Sequence, residues 1–381
     1  MRNFTKILCV VLALIVALSA ASCSLSKEYS YETDDVELPI GVYIYYLYQA
    51  YNEAQNYAKY VDGYTAGESF LDLEITDNDG NTAVCSDWIK DKAAEYMDEA
   101  VAIYHEFEER GCTVDEAAIA QNKKTLKDYW DNGYQDYAYM SDGSVYKDEN
   151  GQPYVQNYDP LSKSYEPYYI GFDSFYLARL WIPAMRSSLF TALYGTDGSE
   201  AVTDEDLHKY YEENYTSYHY FYASISSDAS DEDVKKLTDS FTEYASEVTA
   251  GATVSNVLTK YNEAYSASAE EKSGTAKLDI AKTKNQSKDD TALMQAIIDL
   301  KEGEAKQVII GEDSSRKIYL IYKEPIADTT ETEFESSDNR ESVLSTMKED
   351  DFRALLKKTA SEISVKKSSA CDKYKPSMFE S

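Results

Sequence analysis

The chain has 381 residues, 69 of them acidic against 37 basic, for a formal net charge of -32. Such acidity argues against nucleic acid and anionic lipid headgroups as partners, because both would be repelled, and favours solubility and weak attraction to basic, unfolded polypeptide. A hydrophobic fraction of 43%, enlarged by 36 tyrosines, places the chain among globular proteins with room for two or three domains.

Arg2 and Lys6 bracket a short basic start, and residues 7–18 are apolar almost without interruption. That run is too short to span a bilayer and has the proportions of a signal-peptide core. It ends in Ser19-Ala-Ala-Ser-Cys23, which resembles the bacterial lipoprotein signal, with Ala20 where that signal prefers leucine. The resemblance implies removal of residues 1–22 and a diacylglycerol anchor on Cys23; the alternative is ordinary secretion with cleavage after Ala21. Loss of Arg2 and Lys6 takes the charge from -32 to -34. Residues 23–35 are polar and are expected to form a flexible tether. No later apolar run is long enough for a membrane span.

Pro39 to Val61 carries apolar residues at helical spacing, with proline at the first turn. Residues 70–84 alternate around Asn78-Asp-Gly80, a hairpin signal. Ser86 is expected to cap a long helix stopped by Gly111, and Thr113-Val-Asp-Glu116 to open the next by a capping box. Residues 133–169 are rich in tyrosine and turn residues, with Asp142-Gly and Glu149-Asn-Gly151 framing a small hairpin. Asp173 is expected to cap a helix reaching Tyr194 and kinked at Pro183. Thr203-Asp-Glu-Asp206 opens another helix. His219 to Ile225 is an apolar-aromatic strand, Asp231-Glu-Asp-Val opens a helix, and Val308-Ile-Ile310 with Ile318 to Tyr322 forms a closing hairpin. Residues 337–363 are expected to form a C-terminal helix.

Cys85 and Cys112 flank one predicted helix and so stand roughly 40 Å apart, beyond disulfide reach. Cys371 could reach one of them only if the C-terminus folds back on the N-terminal half. The cysteines are too scattered to bind a metal, and the three histidines too far apart for zinc or triad chemistry. His105 and His208 fall on charged helices, where an exposed histidine is the expected reading. Glu108-Glu109 and Glu349-Asp350-Asp351 are expected to be solvated helix faces.

Glu108-Glu-Arg-Gly-Cys-Thr-Val-Asp-Glu116 and Phe172-Asp-Ser-Phe-Tyr-Leu177 with Phe190-Thr-Ala-Leu-Tyr-Gly195 are followed by Asp204-Glu-Asp-Leu-His-Lys-Tyr-Tyr-Glu-Glu-Asn214. Then come Leu300-Lys-Glu-Gly-Glu304 with the Ile318 to Lys323 strand, and Val365-Lys-Lys with Tyr374-Lys-Pro376. In this order, over nearly the whole mature chain, they resemble the PrsA/SurA family of extracytoplasmic parvulin-type foldases. The resemblance implies an α+β protein. Its mainly helical chaperone domain would be built from residues 36–214 and completed by 328–381, with a parvulin-like α+β domain inserted at 215–327. It further implies a lipid-anchored chaperone on the extracytoplasmic face of the bacterial membrane, with unfolded or secreted polypeptides as clients and neither cofactor nor metal.

The family's catalytic residues do not carry over. Its first-strand histidine is matched by Tyr222, with His219 on the opposite face of the strand. Its last-strand histidine is matched by Tyr319, and the methionine and phenylalanine of its prolyl pocket by Asp289 and Leu293. Its glycine-rich loop is replaced by the lysine-rich residues 275–288. Prolyl isomerisation crosses a barrier of ~18–20 kcal/mol and needs a dry pocket, whereas a carboxylate such as Asp289 holds water. Isomerase activity is therefore expected to be weak or absent. The rival expectation is a non-enzymatic surface lipoprotein that recognises cell-wall glycan or peptide through its tyrosines; alternatively, the tyrosine-rich loop packs its own rings over the helices.

Overall fold

The computed structural model describes residues 28–138, 145–147, 151–280, 287–312 and 315–380. They combine α-helices with small antiparallel sheets, the mixed composition expected of an α+β chain. Two compact units result, one formed by residues up to Ala201 and from Asp350 onward, the other by Val202–Glu349. Residues 1–22 and Cys23, the expected leader and lipid site, lie outside the described residues, as do Asp142, Gly143, Glu149 and Asn150 of the expected turns. Among the described residues no helix is long and apolar enough to cross a membrane.

The first unit is built around α1 (Ile40–Ala58) and α2 (Cys85–Glu109), which pack along each other. Val42, Ile44, Leu47, Ala50 and Ala54 of α1 and Ile89, Ala93, Met97, Ala100 and Val101 of α2 are all buried. Between them the hairpin β3 (Glu74–Thr76) and β4 (Thr82–Val84) turns as Asn78-Asp-Gly80 predicts, with Gly80 at φ 87°. Then follow α3 (Glu116–Asn132), the hairpin β5 (Tyr134–Tyr137) and β6 (Val155–Tyr158), and the short α4 (Leu161–Tyr165). A continuous helical run comes next: α5 (Phe172–Tyr176), a π turn at Leu177–Trp181 and α6 (Ile182–Tyr194).

The C-terminal segment closes this unit. Strands β1 (Tyr29–Glu32) and β2 (Glu37–Pro39) pair with each other, and β1 also pairs with β11 (Lys366–Lys367), so β1 lies between strands from both ends of the chain. Residues 29–32, expected within a flexible tether, are thus ordered. The Tyr31 ring is buried, and the Ser30 hydroxyl donates to the Leu38 carbonyl at 3.0 Å. Phe379 inserts against Tyr48, Tyr51 and Tyr168 at centroid distances of 5.1, 5.4 and 5.1 Å. Phe352 packs edge-on to Phe190, and Thr359 donates to the buried carboxylate of Glu106. The fold-back brings the Cys371 thiol to the Ser30 carbonyl at 3.9 Å, and Cys85, Cys112 and Cys371 are all free.

Three expected helix starts are displaced. The residue before α2 is Val84 with no side-chain cap, and Ser86 lies inside the helix. Asp115 rather than Thr113 caps α3, accepting from the N–H groups of Ala117 and Ala118. Asp173 lies in the first turn of α5, after Gly171. At α2 and α5 packing of the apolar face decides the first helical residue, and an acidic first turn (Asp87, Asp173) serves the helix dipole without a cap bond. Pro183 does not break its helix. Its missing N–H leaves an acceptor unmatched one turn back, where the ladder widens into the π turn.

The second unit opens with α7 (Asp204–Asn214), capped by Thr203. Its four-stranded antiparallel sheet has the order β8-β7-β10-β9, made from β7 (Tyr215–Ser224), β8 (Lys272–Lys277), β9 (Ala305–Ile310) and β10 (Lys317–Glu324). Helices α8 (Asp231–Thr249) and α9 (Val254–Tyr265) cover one face, and α10 (Lys288–Ile298) the other. Strand β8 lies where only a polar, lysine-rich stretch is evident in the sequence, because an edge strand with one solvated face needs little apolar content. The compact unit also takes in α7 and α11 (Ala327–Phe334), which the sequence assigns to the helical domain. The reason is local: Tyr211 of α7 is buried between Tyr215 and Phe334, at 5.0 and 5.6 Å. Helix α12 (Ser337–Glu362) starts among the residues of the second unit and ends among those of the first.

Phe379→Ala removes the ring that ties the C-terminus to α1. The expected loss is about 3 kcal/mol of stability in the first unit, as for other buried phenylalanines, read as a lower urea midpoint.

Candidate functional site

The four residues matched to the parvulin pocket meet on one face of the second unit's sheet. Strand register sets Tyr222 opposite Tyr319, with ring centroids 5.4 Å apart. Alternation along β7 adds Tyr218 and Tyr220 to the same face, and Tyr220 lies 6.0 Å from Tyr319. Helix α10 covers these rings with Leu293 and Ile297, while Ile310 and Ile321 complete the cluster. Asp289 lies in the first turn of α10, capped by Ser287. The Tyr319 phenol is pushed up to about 12 by burial first, then by Tyr220 and Tyr222, then by Asp289 and Asp290. At the opening, the ammonium groups of Lys317 and Lys272 lie 4.6 and 5.9 Å from the centre of the Tyr222 ring. The rings pack against one another and against α10 as the core of this face. Among the described residues it carries no imidazole and no thiol, and Asp289 and Asp290 stand in the first turn of α10.

His219 lies on the opposite face, as strand alternation requires. Its Nδ1 is 2.7 Å from Glu271 and its Nε2 3.3 Å from Glu324, which also accepts from Ser217. The two carboxylates sit on opposite sides of the ring and cannot converge on one ion; among the described residues no cluster suits a metal. His105 is paired with Asp35 at 2.8 Å, and His208 packs at a tilt on Phe334 with centroids 4.5 Å apart, so both are occupied structurally.

The tyrosine-rich segment of the first unit separates into two parts. Tyr165 and Tyr168 pack inward on Tyr48, and Tyr165 also stacks on the buried Trp130. For these rings the packed-loop reading holds. The β5–β6 hairpin is the reverse: Tyr137, Tyr146 and Tyr154 are 48%, 49% and 51% exposed, and no residue of either strand is buried. Tyr134 and Tyr158 stack face to face at 4.4 Å with planes 8° apart, and Tyr129 joins them at 5.1 Å from Tyr134. Gly133 permits the tight entry: its φ is 75°, and an added Cβ would fall 2.1 Å from the Tyr158 carbonyl oxygen.

Tyr129 also lines an open groove of about 1090 Å³ between α3 and the start of α5. There Lys123 lies over Tyr176 at 4.1 Å, and Lys127 over Phe172 at 5.3 Å while bonded to Asp131. Groove and hairpin form one aromatic surface. Residue composition alone locates the tyrosines, but only the tertiary structure distinguishes the packed rings of the helical turns from the exposed ones of the hairpin.

No protein-family model, curated protein or solved structure matches this chain.

The raised Tyr319 pKa makes the unfolded chain, with tyrosine near 10, the readier proton donor. Its contribution is fully present below pH 10 and is lost as pH rises towards about 12. Unfolding free energy measured in urea should fall over that window, with Tyr319 supplying on the order of 2 kcal/mol and Tyr319→Phe flattening that part of the slope.

Proposed function

We propose that this chain is a polypeptide-binding chaperone of PrsA/SurA type, held on the extracytoplasmic face of the membrane by a lipid on Cys23. The observation that carries the reading is the exposed aromatic surface of the β5–β6 hairpin and the adjoining groove. Tyrosines solvated over most of a hairpin add little to their own unit's core, and contiguous patches of this kind mark interaction sites. The chain's acidity favours neutral or basic unfolded segments over nucleic acid.

Several further features support the reading. The reading draws on a helical unit that takes in the C-terminal segment and on a second unit whose chain runs strand, helices, strand, helix and closing hairpin. In the parvulin-like unit, Tyr222, Asp289, Leu293 and Tyr319 stand where isomerases of the family carry histidines, methionine and phenylalanine. Phenols pushed upward, like Tyr319, stay protonated at neutral pH and cannot serve as bases. This unit binds or spaces; it does not turn over prolyl bonds. A second reading, stacking of cell-wall sugar rings, draws on the planar faces of Tyr134 and Tyr158.

Suppression of aggregation of a reduced, unfolding protein decides between them when set beside retention on cell-wall polysaccharide. The chaperone reading expects suppression without retention, and replacing Tyr137, Tyr146 and Tyr154 together by serine should reduce it severalfold at an unchanged melting temperature. Retention without suppression would sink it. In a prolyl-isomerisation assay the full chain should stay at the uncatalysed rate; clear turnover would overturn the loss of catalysis.

A further inference from the structure

The sheet of the second unit ends on β9, and α8 runs beside that edge. At one end the two are tied: the Ala305 N–H donates to Thr249 Oγ1 at 2.9 Å, and the Thr249 hydroxyl donates to the Ala305 carbonyl at 3.4 Å. Both backbone groups of Ala305 therefore face away from β10. Direction alternates along an antiparallel strand, so Lys306, Val308 and Ile310 turn theirs towards β10, opposite Ile321, Tyr319 and Lys317. Gln307 and Ile309 turn theirs outward. No backbone hydrogen bond from outside the sheet reaches either residue among the described residues.

A groove of about 410 Å³ follows this edge, lined by Thr242, Ala245, Ser246 and Thr249 of α8 and by Ala305 to Gln307 of β9. The helix residues are spaced to share one face. The Thr242 and Ser246 hydroxyls bond back to the carbonyls of Thr238 and Thr242, which leaves a small, uncharged wall. Into this setting β9 brings the Gln307 Oε1 atom, buried and without a hydrogen-bond partner among the described residues. A desolvated acceptor left unpaired is costly and calls for a donor. Further along, Ile309 is 41% exposed, on an edge strand that carries no proline.

We propose that β9 is a docking edge for an extended polypeptide segment, which lies in the groove beside α8 and joins the sheet as a fifth strand. Outward N–H and C=O groups at alternate residues match the pattern of another strand and of no other common ligand. The Gln307 Oε1 atom takes an N–H from the incoming segment, and the small residues of α8 leave room for its alternate side chains. A second copy of this chain fits less well, because its own α8 flanks the same edge. The inference stands on the second unit alone and adds backbone recognition to the side-chain surface of the tyrosine hairpin.

The test uses the full chain, the peptide Lys-Thr-Val-Thr-Val-Thr-Val-Lys and residue-resolved amide hydrogen exchange. Without peptide, the Gln307 and Ile309 amides should exchange freely while Val308 and Ile310 are protected. With peptide, the first pair should slow at least tenfold, and the same peptide N-methylated at alternate residues should have no effect. Ile309→Pro removes an outward N–H but no bond to β10, so the sheet should survive while peptide affinity falls about tenfold. Gln307→Leu keeps the volume, removes the buried acceptor and should also weaken binding; unchanged affinity in both folded variants would overturn the proposal. Protection that grows with protein concentration in the absence of peptide would assign the edge to a second copy and equally overturn it. Aggregation suppression through the hairpin with no protection on β9 would leave the chaperone reading intact and sink this one.

Discussion

The first unit depends on the return of the chain's last residues to its first strand. Strand β1 has β2 on one side and β11 on the other, so a strand of four residues gains partners from opposite ends of the sequence. Below it, Phe379 fills the space between Tyr48, Tyr51 and Tyr168, and Thr359 satisfies the buried Glu106 carboxylate, whose other oxygen is held by Arg110 at 2.8 Å. A buried carboxylate without those donors would be strongly destabilising. The α1–α2 pair is therefore a finished core only once the C-terminal segment is in place. That closure leaves the β5–β6 hairpin as a projection with no core of its own, and so as a surface.

The second unit is organised by a sheet with two different faces. One carries Phe221, Ile318 and Leu320 under α8 and α9, a conventional core. The other carries four tyrosines under α10, where aliphatic residues would pack as well. Tyr218, Tyr220 and Tyr222 are only partly buried and Lys317 lies over the Tyr222 ring, so the face is partly wet. Wetness suits binding and opposes a reaction that requires desolvation of an amide. The sheet also stops abruptly: β9 has a helix beside it but no strand beyond it.

Long amphipathic stretches were legible from residues alone. Spacing located α1 and α2, Asn78-Asp-Gly80 marked its hairpin, and Thr203 capped α7 because a hydroxyl three residues before Asp206 satisfies a free N–H locally. Short elements were not legible. Strand β1 looks like a polar tether because only Tyr31 among its residues is a large buried ring, and its order comes from residues more than three hundred positions away. Strand β8 lacks apolar alternation for a related reason: its neighbour β7 supplies the buried side chains. Grouping α7 and α11 with the sheet depends on Tyr211, one tyrosine among many until its neighbours Tyr215 and Phe334 are seen.

Residue order and composition set the acidity, the tyrosine content, the apolar run ahead of Cys23 and the identities at Tyr222, Asp289, Leu293 and Tyr319, because each is a property of composition or local order. Tertiary structure alone decided which of these residues share a place. It brought the four matched positions to one sheet face, packed Tyr165 and Tyr168 against Tyr48 while leaving Tyr137 and Tyr154 in solvent, and left the outer edge of β9 open beside α8. Such outcomes follow from strand register and from pairing between distant segments, and a one-residue change of register would reverse every face.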